Sequence, residues 1–145
     1  VLFERAADKQ YAQIGIRQTG RTHNLSNNAG YSLKVNDDGS WILYRAKMGS
    51  TSSKGTELAS GSVDASQVTP GTWFQLKLRG EGNVIKAYIN DTLVATYEDS
   101  NPITSGRVAI GCGNSYTRFD NLAVTKIKGY AHITENILTI WKPMI

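Results

Sequence analysis

The sequence contains one cysteine, Cys112, in 145 residues. One thiol excludes an internal disulfide and a zinc site built on cysteines. Cys112 alternates with Val108 and Ile110, so it is expected to be a buried structural thiol. No apolar run approaches the ~20 residues of a transmembrane helix, and no membrane partner is expected. The net charge is +4, but the basic residues are scattered, and the tightest group is Lys126-Ile127-Lys128. With no basic stripe and no recognised motif, nucleic acid is not an expected partner either. There is no phosphate loop, and neither His23 nor His132 has a pattern such as G-x-S-x-G beside it. Most acids fall in turns, among them Asp37, Asp38, Glu81, Asp91, Glu98 and Asp99. None forms the spaced carboxylate pair that glycoside cleavage needs, so the chain is not expected to be an enzyme. Helix signals are nearly absent.

Period-two alternation is present instead. Ala12, Ile14 and Ile16 share one face of Tyr11–Arg17, while Tyr11, Gln13 and Arg17 share the other. Tyr31, Leu33 and Val35 alternate likewise up to Asp37-Asp38-Gly39, which turns the chain into Trp41–Arg45. In Thr72–Arg79, Phe74, Leu76 and Leu78 point inward, and Trp73, Gln75, Lys77 and Arg79 outward. Ile85, Ala87 and Ile89 follow the turn Glu81-Gly82-Asn83. Asn90-Asp91 turns into Leu93–Tyr97, and Gly106–Gly111 and Thr117–Thr125 complete the series. Nine or ten short strands at this spacing, with 14 Gly, 7 Tyr and 3 Trp, predict an all-β antiparallel sandwich or barrel. The tail Tyr130–Ile145 is ambiguous: Ile133, Ile137, Leu138 and Trp141 fit a helix, whereas its Thr and Ile content suits a strand. The abrupt start at Val1-Leu2-Phe3 reads as a segment of something longer.

The run "GTWFQLKLRGEGNVIKAYINDTLVATYEDSNPITSGRVAIGCGNSYTRFDNLAV" resembles the concanavalin A-like, laminin-G-like jelly-roll domains. Its layout is a Trp-bearing strand, a short turn, a Gly-rich loop, and Phe-Asp-Asn before a closing strand. Together with "QYAQIGIRQTG" and "AGYSLKVNDDGSWILYR" it looks most like the C-terminal lectin-like domain of the galactocerebrosidase family of glycoside hydrolases. The resemblance covers most of residues 1–127 and leaves 128–145 as an extension of uncertain structure. It implies a two-sheet antiparallel β-sandwich of jelly-roll topology. It also implies a non-catalytic carbohydrate-binding module, accessory to the catalytic domain of a glycoside hydrolase. Galactose-containing or cell-wall glycans are the implied ligands, in a secreted or extracellular setting. The rival expectation is a structural domain that packs on a catalytic domain and binds no sugar.

Sugar recognition calls for an aromatic ring over the C–H face and polar groups at the hydroxyl edge. Tyr11, Gln13, Arg17, Arg45 and Trp73 supply these groups, and Arg17, Arg45 and Trp73 line one concave sheet if their strands are neighbours. Asn24, in the loop RTHNLSNNAG, adds a rim donor. The resemblance further implies a structural calcium ion near the chain ends. Asp120 is the suitable last-strand acid, and Glu4 and Asp8 are the available N-terminal partners. The alternative for Asp120 is an outward carboxylate bonding a nearby turn.

Overall fold

The computed structural model describes residues 1–20, 29–46, 55–127 and 136–140. Asn24 and His23 lie outside them. Twelve strands form among the described residues: β1 Leu2–Phe3, β2 Tyr11–Gln18, β3 Gly30–Asn36, β4 Ser40–Ala46, β5 Thr56–Ser62 and β6 Leu76–Glu81. They continue with β7 Val84–Ile89, β8 Thr92–Glu98, β9 Arg107–Gly113, β10 Thr117–Arg118, β11 Leu122–Lys126 and β12 Asn136–Ile140. A 3₁₀ turn, Ala65–Gln67, is N-capped by Asp64, whose side chain accepts the Ser66 N–H.

Two five-stranded sheets carry the fold, in the orders β5-β4-β3-β2-β9 and β11-β12-β6-β7-β8, with a small β1-β10 pair at one end. The strand pairs are antiparallel. The alternation read from the sequence becomes the layer between the sheets. Ala12, Ile14, Ile16, Leu33, Val35 and Leu43 face Phe74, Leu76, Leu78, Ile85, Ala87 and Ile89, all fully buried. Each large aliphatic side chain removed from water in this way contributes about 1.5–3 kcal/mol. Trp41 belongs to this core, its ring close over Gly61 of β5.

The turns follow their residues. Gly39 has φ +88°, and Asp38 Oδ1 accepts the Ser40 N–H at 2.8 Å, closing the β3–β4 hairpin. Asn90 and Asp91 have φ of 49° and 62°, the double left-handed conformation that matches the twist of the β7–β8 hairpin.

Four features differ from the sequence expectation or settle it. Thr117–Thr125 is not one strand: β10 ends at Arg118 and β11 starts at Leu122. In the gap Asn121 adopts φ +53° and donates its N–H to Asp120 Oδ1 at 2.8 Å. The acid and its amide therefore break the strand, since both residue types bond nearby backbone and tolerate the left-handed region. Cys112, expected to be buried, is exposed. It pairs with Ala12, but β9 is an edge strand, and its neighbour Ile110 is also 43% exposed. Gln75, expected outward, is buried; its backbone N–H is taken by Asn90 Oδ1 at 2.8 Å, and β6 begins only at Leu76. The tail supplies a strand, β12, inserted between β11 and β6 with Leu138 opposite both Leu78 and Val124.

Candidate ligand cleft at the sandwich end

Core-facing positions of β4 run Trp41, Leu43, Arg45. Arg45 is thus the polar end of an apolar series, opposite Tyr31 on β3 and Thr56 on β5. Burying a guanidinium alone would be costly, and three nearby groups offset that cost. Arg45 Nη1 donates to Asp99 Oδ2 at 2.5 Å and to the Asn101 carbonyl at 2.7 Å. Tyr31 donates its hydroxyl to the same Asp99 oxygen at 2.6 Å and accepts the Ile103 N–H at 3.0 Å. Asp99 Oδ1 accepts the Asn101 N–H at 2.9 Å. The segment after β8 is thereby tied to β3 and β4.

The Asp99 side chain is 6% exposed and that of Arg45 29%. The carboxylate lies inside the cluster, while the guanidinium reaches a cleft of about 470 Å³. Arg45, Thr56, Leu58, Tyr97, Asn101 and Ile103 line it. Tyr97 sits opposite buried Ile85, at the end of the inward series of β8. The cleft opens where β5 of one sheet meets β8 of the other. It combines an aromatic side, an aliphatic wall, a cation, a hydroxyl and an amide, within the size range of small-molecule sites.

The electrostatics fit this arrangement. Burial raises the Asp99 pKa, but the donors Tyr31, the Asn101 N–H and Arg45 outweigh it and hold the carboxyl below its ordinary value. Burial, and then the bond to Asp99, push Tyr31 up to about 12. Burial also pushes Tyr44 up to about 12. A depressed carboxyl contributes stability above its ordinary pKa and loses it as the pH falls through the folded value. A raised phenol works on the alkaline side. The unfolded chain releases its proton near pH ~10 and the folded chain later, so stability falls from about pH 10 towards about pH 12. A phenolate absorbance titration of the folded chain should accordingly show a component that rises only towards about pH 12, and Tyr31→Phe should remove part of it. An absorbance rise with no component above the ordinary phenol range near pH ~10 would contradict the burial of Tyr31 and Tyr44.

The other residues proposed from sequence do not converge on this cleft. Arg17 departs from the alternation because the β2–β9 register shifts between Gly15 and Gln18 and Arg17 itself has φ +54°. It is fully buried, and its Nη1 donates to the Gly82 carbonyl at 2.8 Å and the Ile103 carbonyl at 2.9 Å. Its guanidinium therefore braces the loop that positions Arg45. Tyr11 and Gln13 stay together on the outer face of the β2 sheet. Lys34 Nζ stands 4.0 Å from the Tyr11 ring centre, and Gln13 Oε1 accepts the Tyr44 hydroxyl at 2.8 Å. Trp73 is half-buried at the far end, bridged to Leu2. Tyr97, Thr56 and Asn101 were not singled out in the sequence. The signal for Tyr97, as for Arg45, was an amphipathic residue closing an apolar inward series.

The fit of a calcium ion at Asp120 can be judged from its surroundings. Asp120 Oδ1 accepts the N–H of Asn121, and Glu4 is paired with Arg118. No group of three acid, histidine or cysteine side chains gathers among the described residues. Calcium takes six to eight oxygens, and the described side chains do not assemble that set.

Comparison with known proteins adds to the geometry. A search of curated proteins returned no match. Among solved structures the chain is similar to the carbohydrate-binding module CBM66 from Bacillus subtilis, with a TM-score of 0.55 and 14% identity. The likeness covers 95% of this chain and 66% of that one, just short of two thirds. At this identity it establishes the fold: an all-β, two-sheet jelly-roll sandwich, as the concanavalin A-like resemblance implied. The model of the 3-keto-alpha-glucoside-1,2-lyase-like domain matches residues 4–125. Since that span takes in nearly all of both sheets and the whole Arg45–Asp99–Tyr31 cluster, the chain belongs to the 3-keto-alpha-glucoside-1,2-lyase-like domain family.

Proposed function

We propose that this chain is a non-catalytic carbohydrate-binding module whose site is the Arg45 cleft. The observation that carries the reading is the juxtaposition of a braced guanidinium with Tyr97, Thr56 and Asn101 in one concavity. A sugar ring rests its C–H face on Tyr97 and Leu58, while Arg45, Thr56 and Asn101 bond its hydroxyl edge. Asp99 keeps Arg45 in place. With both its oxygens engaged by donors and its pKa depressed, it is a poor proton acceptor, which supports binding over bond cleavage. A single cleft of this kind gives weak affinity, about millimolar to micromolar. A secreted host glycoside hydrolase would strengthen capture by tethering.

Two sugar panels test the reading. Galactose-containing and cell-wall glycans follow from the galactocerebrosidase-like layout, and α-glucosides, with their 3-keto forms, from the family to which the chain belongs. Affinity electrophoresis in soluble polysaccharides should retard the chain in at least one gel. Arg45→Ala and Tyr97→Ala should each abolish the retardation while the fold persists in circular dichroism. Retardation unchanged in both variants would place the site elsewhere, and turnover of a 3-keto-α-glucoside by the chain would replace the binding role with catalysis.

A second reading rests on a different feature. Ile110 of β9 and Leu122 and Val124 of β11 are 43%, 54% and 50% exposed at one open edge of the sandwich. Exposed apolar side chains on edge strands favour packing against another protein surface, as an interaction domain would require. It lies away from the cleft lining, so the two roles are compatible.

A further inference from the structure

We propose that the Arg45 cleft selects carboxylated sugars, the uronic acid residues of a glycan, over their neutral counterparts. The proposal rests on the carbohydrate-binding reading and names the ligand class of that same cleft. Among the described residues, Arg45 is the only charged one lining the cleft. The nearest acid, Asp99, is absent from the lining, and its oxygens are filled by Tyr31, Arg45 and the Asn101 N–H.

The two protons of Arg45 Nη1 are spent on Asp99 and the Asn101 carbonyl. Nε and Nη2 carry three more, with no protein acceptor among the described residues. That unused edge is a planar fork matched to a carboxylate, and such charge-assisted bidentate contacts are about twice as strong as neutral ones. The fork is held in advance by Asp99 and Asn101, so little side-chain freedom is lost when a ligand arrives. Tyr97 and Leu58 supply the apolar side that a free carboxylate has no use for but a sugar ring does. The chain's net charge of +4 also favours an anionic partner.

Calorimetric titration of the full chain with matched pairs tests this: methyl galacturonide against methyl galactoside, and methyl glucuronide against methyl glucoside. Within each pair only the C6 group differs. At least one uronide should bind about tenfold or more tightly than its neutral partner, with a preference that shrinks as salt is raised. Arg45→Gln should bring the two members to equal affinity. Should that variant fail to fold, Arg45→Lys keeps a cation for Asp99 but lacks the fork, and its acid preference should fall below that of the wild type. Equal affinities in the wild type, or a preference unchanged in Arg45→Lys, would overturn the acid selection and leave carbohydrate binding standing. Binding of no member of either pair, together with no retardation in any polysaccharide gel, would sink both.

Discussion

Removing residues 128–145 should yield a chain that does not fold cooperatively. The segment could pass for a dispensable tail, since the family match stops at residue 125. Yet Asn136–Ile140 is an interior strand, hydrogen-bonded to β11 on one side and β6 on the other. Its loss strips the β6 ladder of a neighbour and leaves β11 with nothing to pair with. It also removes Leu138 from full burial against Leu78. Unpaired backbone at a buried sheet position costs about 1–3 kcal/mol per group. Several such groups, with the lost burial of Leu138, are comparable to the ~5–15 kcal/mol of a whole domain. The truncated chain should therefore show no cooperative thermal transition and should aggregate through its exposed edges. A sharp melt within a few degrees of the full chain would show that β12 is not integral.

Arg17→Ala should be the most damaging single substitution near the cleft. The guanidinium lies wholly between the sheets and satisfies the Gly82 and Ile103 carbonyls, which come from the β6–β7 turn and the segment before β9. Alanine leaves those oxygens without their donor and opens a cavity the size of most of an arginine. Orphaned acceptors and the cavity add to a loss of about 3–5 kcal/mol. Arg17→Met refills much of the volume without the donors, so it should recover the cavity share and retain a deficit of about 1–3 kcal/mol. Chemical denaturation separates the contributions. Equal stability of the alanine variant and the wild type would contradict a bracing role. Because Ile103 also bonds Tyr31, Arg17→Ala should weaken sugar binding too, although Arg17 is absent from the cleft lining.

Arg17 also shows where sequence patterning runs out. Alternation placed it beside Tyr11 and Gln13 on the outer face. A register shift and one left-handed residue turned it inward, and neither leaves a mark in hydrophobicity. The two sheets themselves were legible. Ile14, Leu33, Leu78, Ile85 and their alternate neighbours point where period two puts them, and Asp-Gly and Asn-Asp mark their hairpins. The exposure of Cys112 and Ile110 was not legible, because edge position follows from long-range pairing order rather than from a strand's own residues. β12 was ambiguous for a similar reason: Ile137 and Leu138 suit a strand or a helix, and the gap between β11 and β6 decides. Of the cleft, Arg45 alone was visible as a site residue. Its companions Thr56, Tyr97 and Asn101 come from three separate segments, and only the strand order β5-β4-β3 in one sheet, with β8 ending the other, brings them together. Asp99, read as a turn acid, is the group that makes Arg45 usable.

The site assignment is tested most directly by chemical-shift mapping of the isotope-labelled chain titrated with a glycan that retards it. The largest shifts should fall on Arg45, Thr56, Tyr97 and Asn101, with the Tyr31 and Ile103 amides following and the Tyr11–Gln13 face unmoved. Shifts centred on Tyr11, Gln13 and Lys34, with the cleft silent, would contradict it.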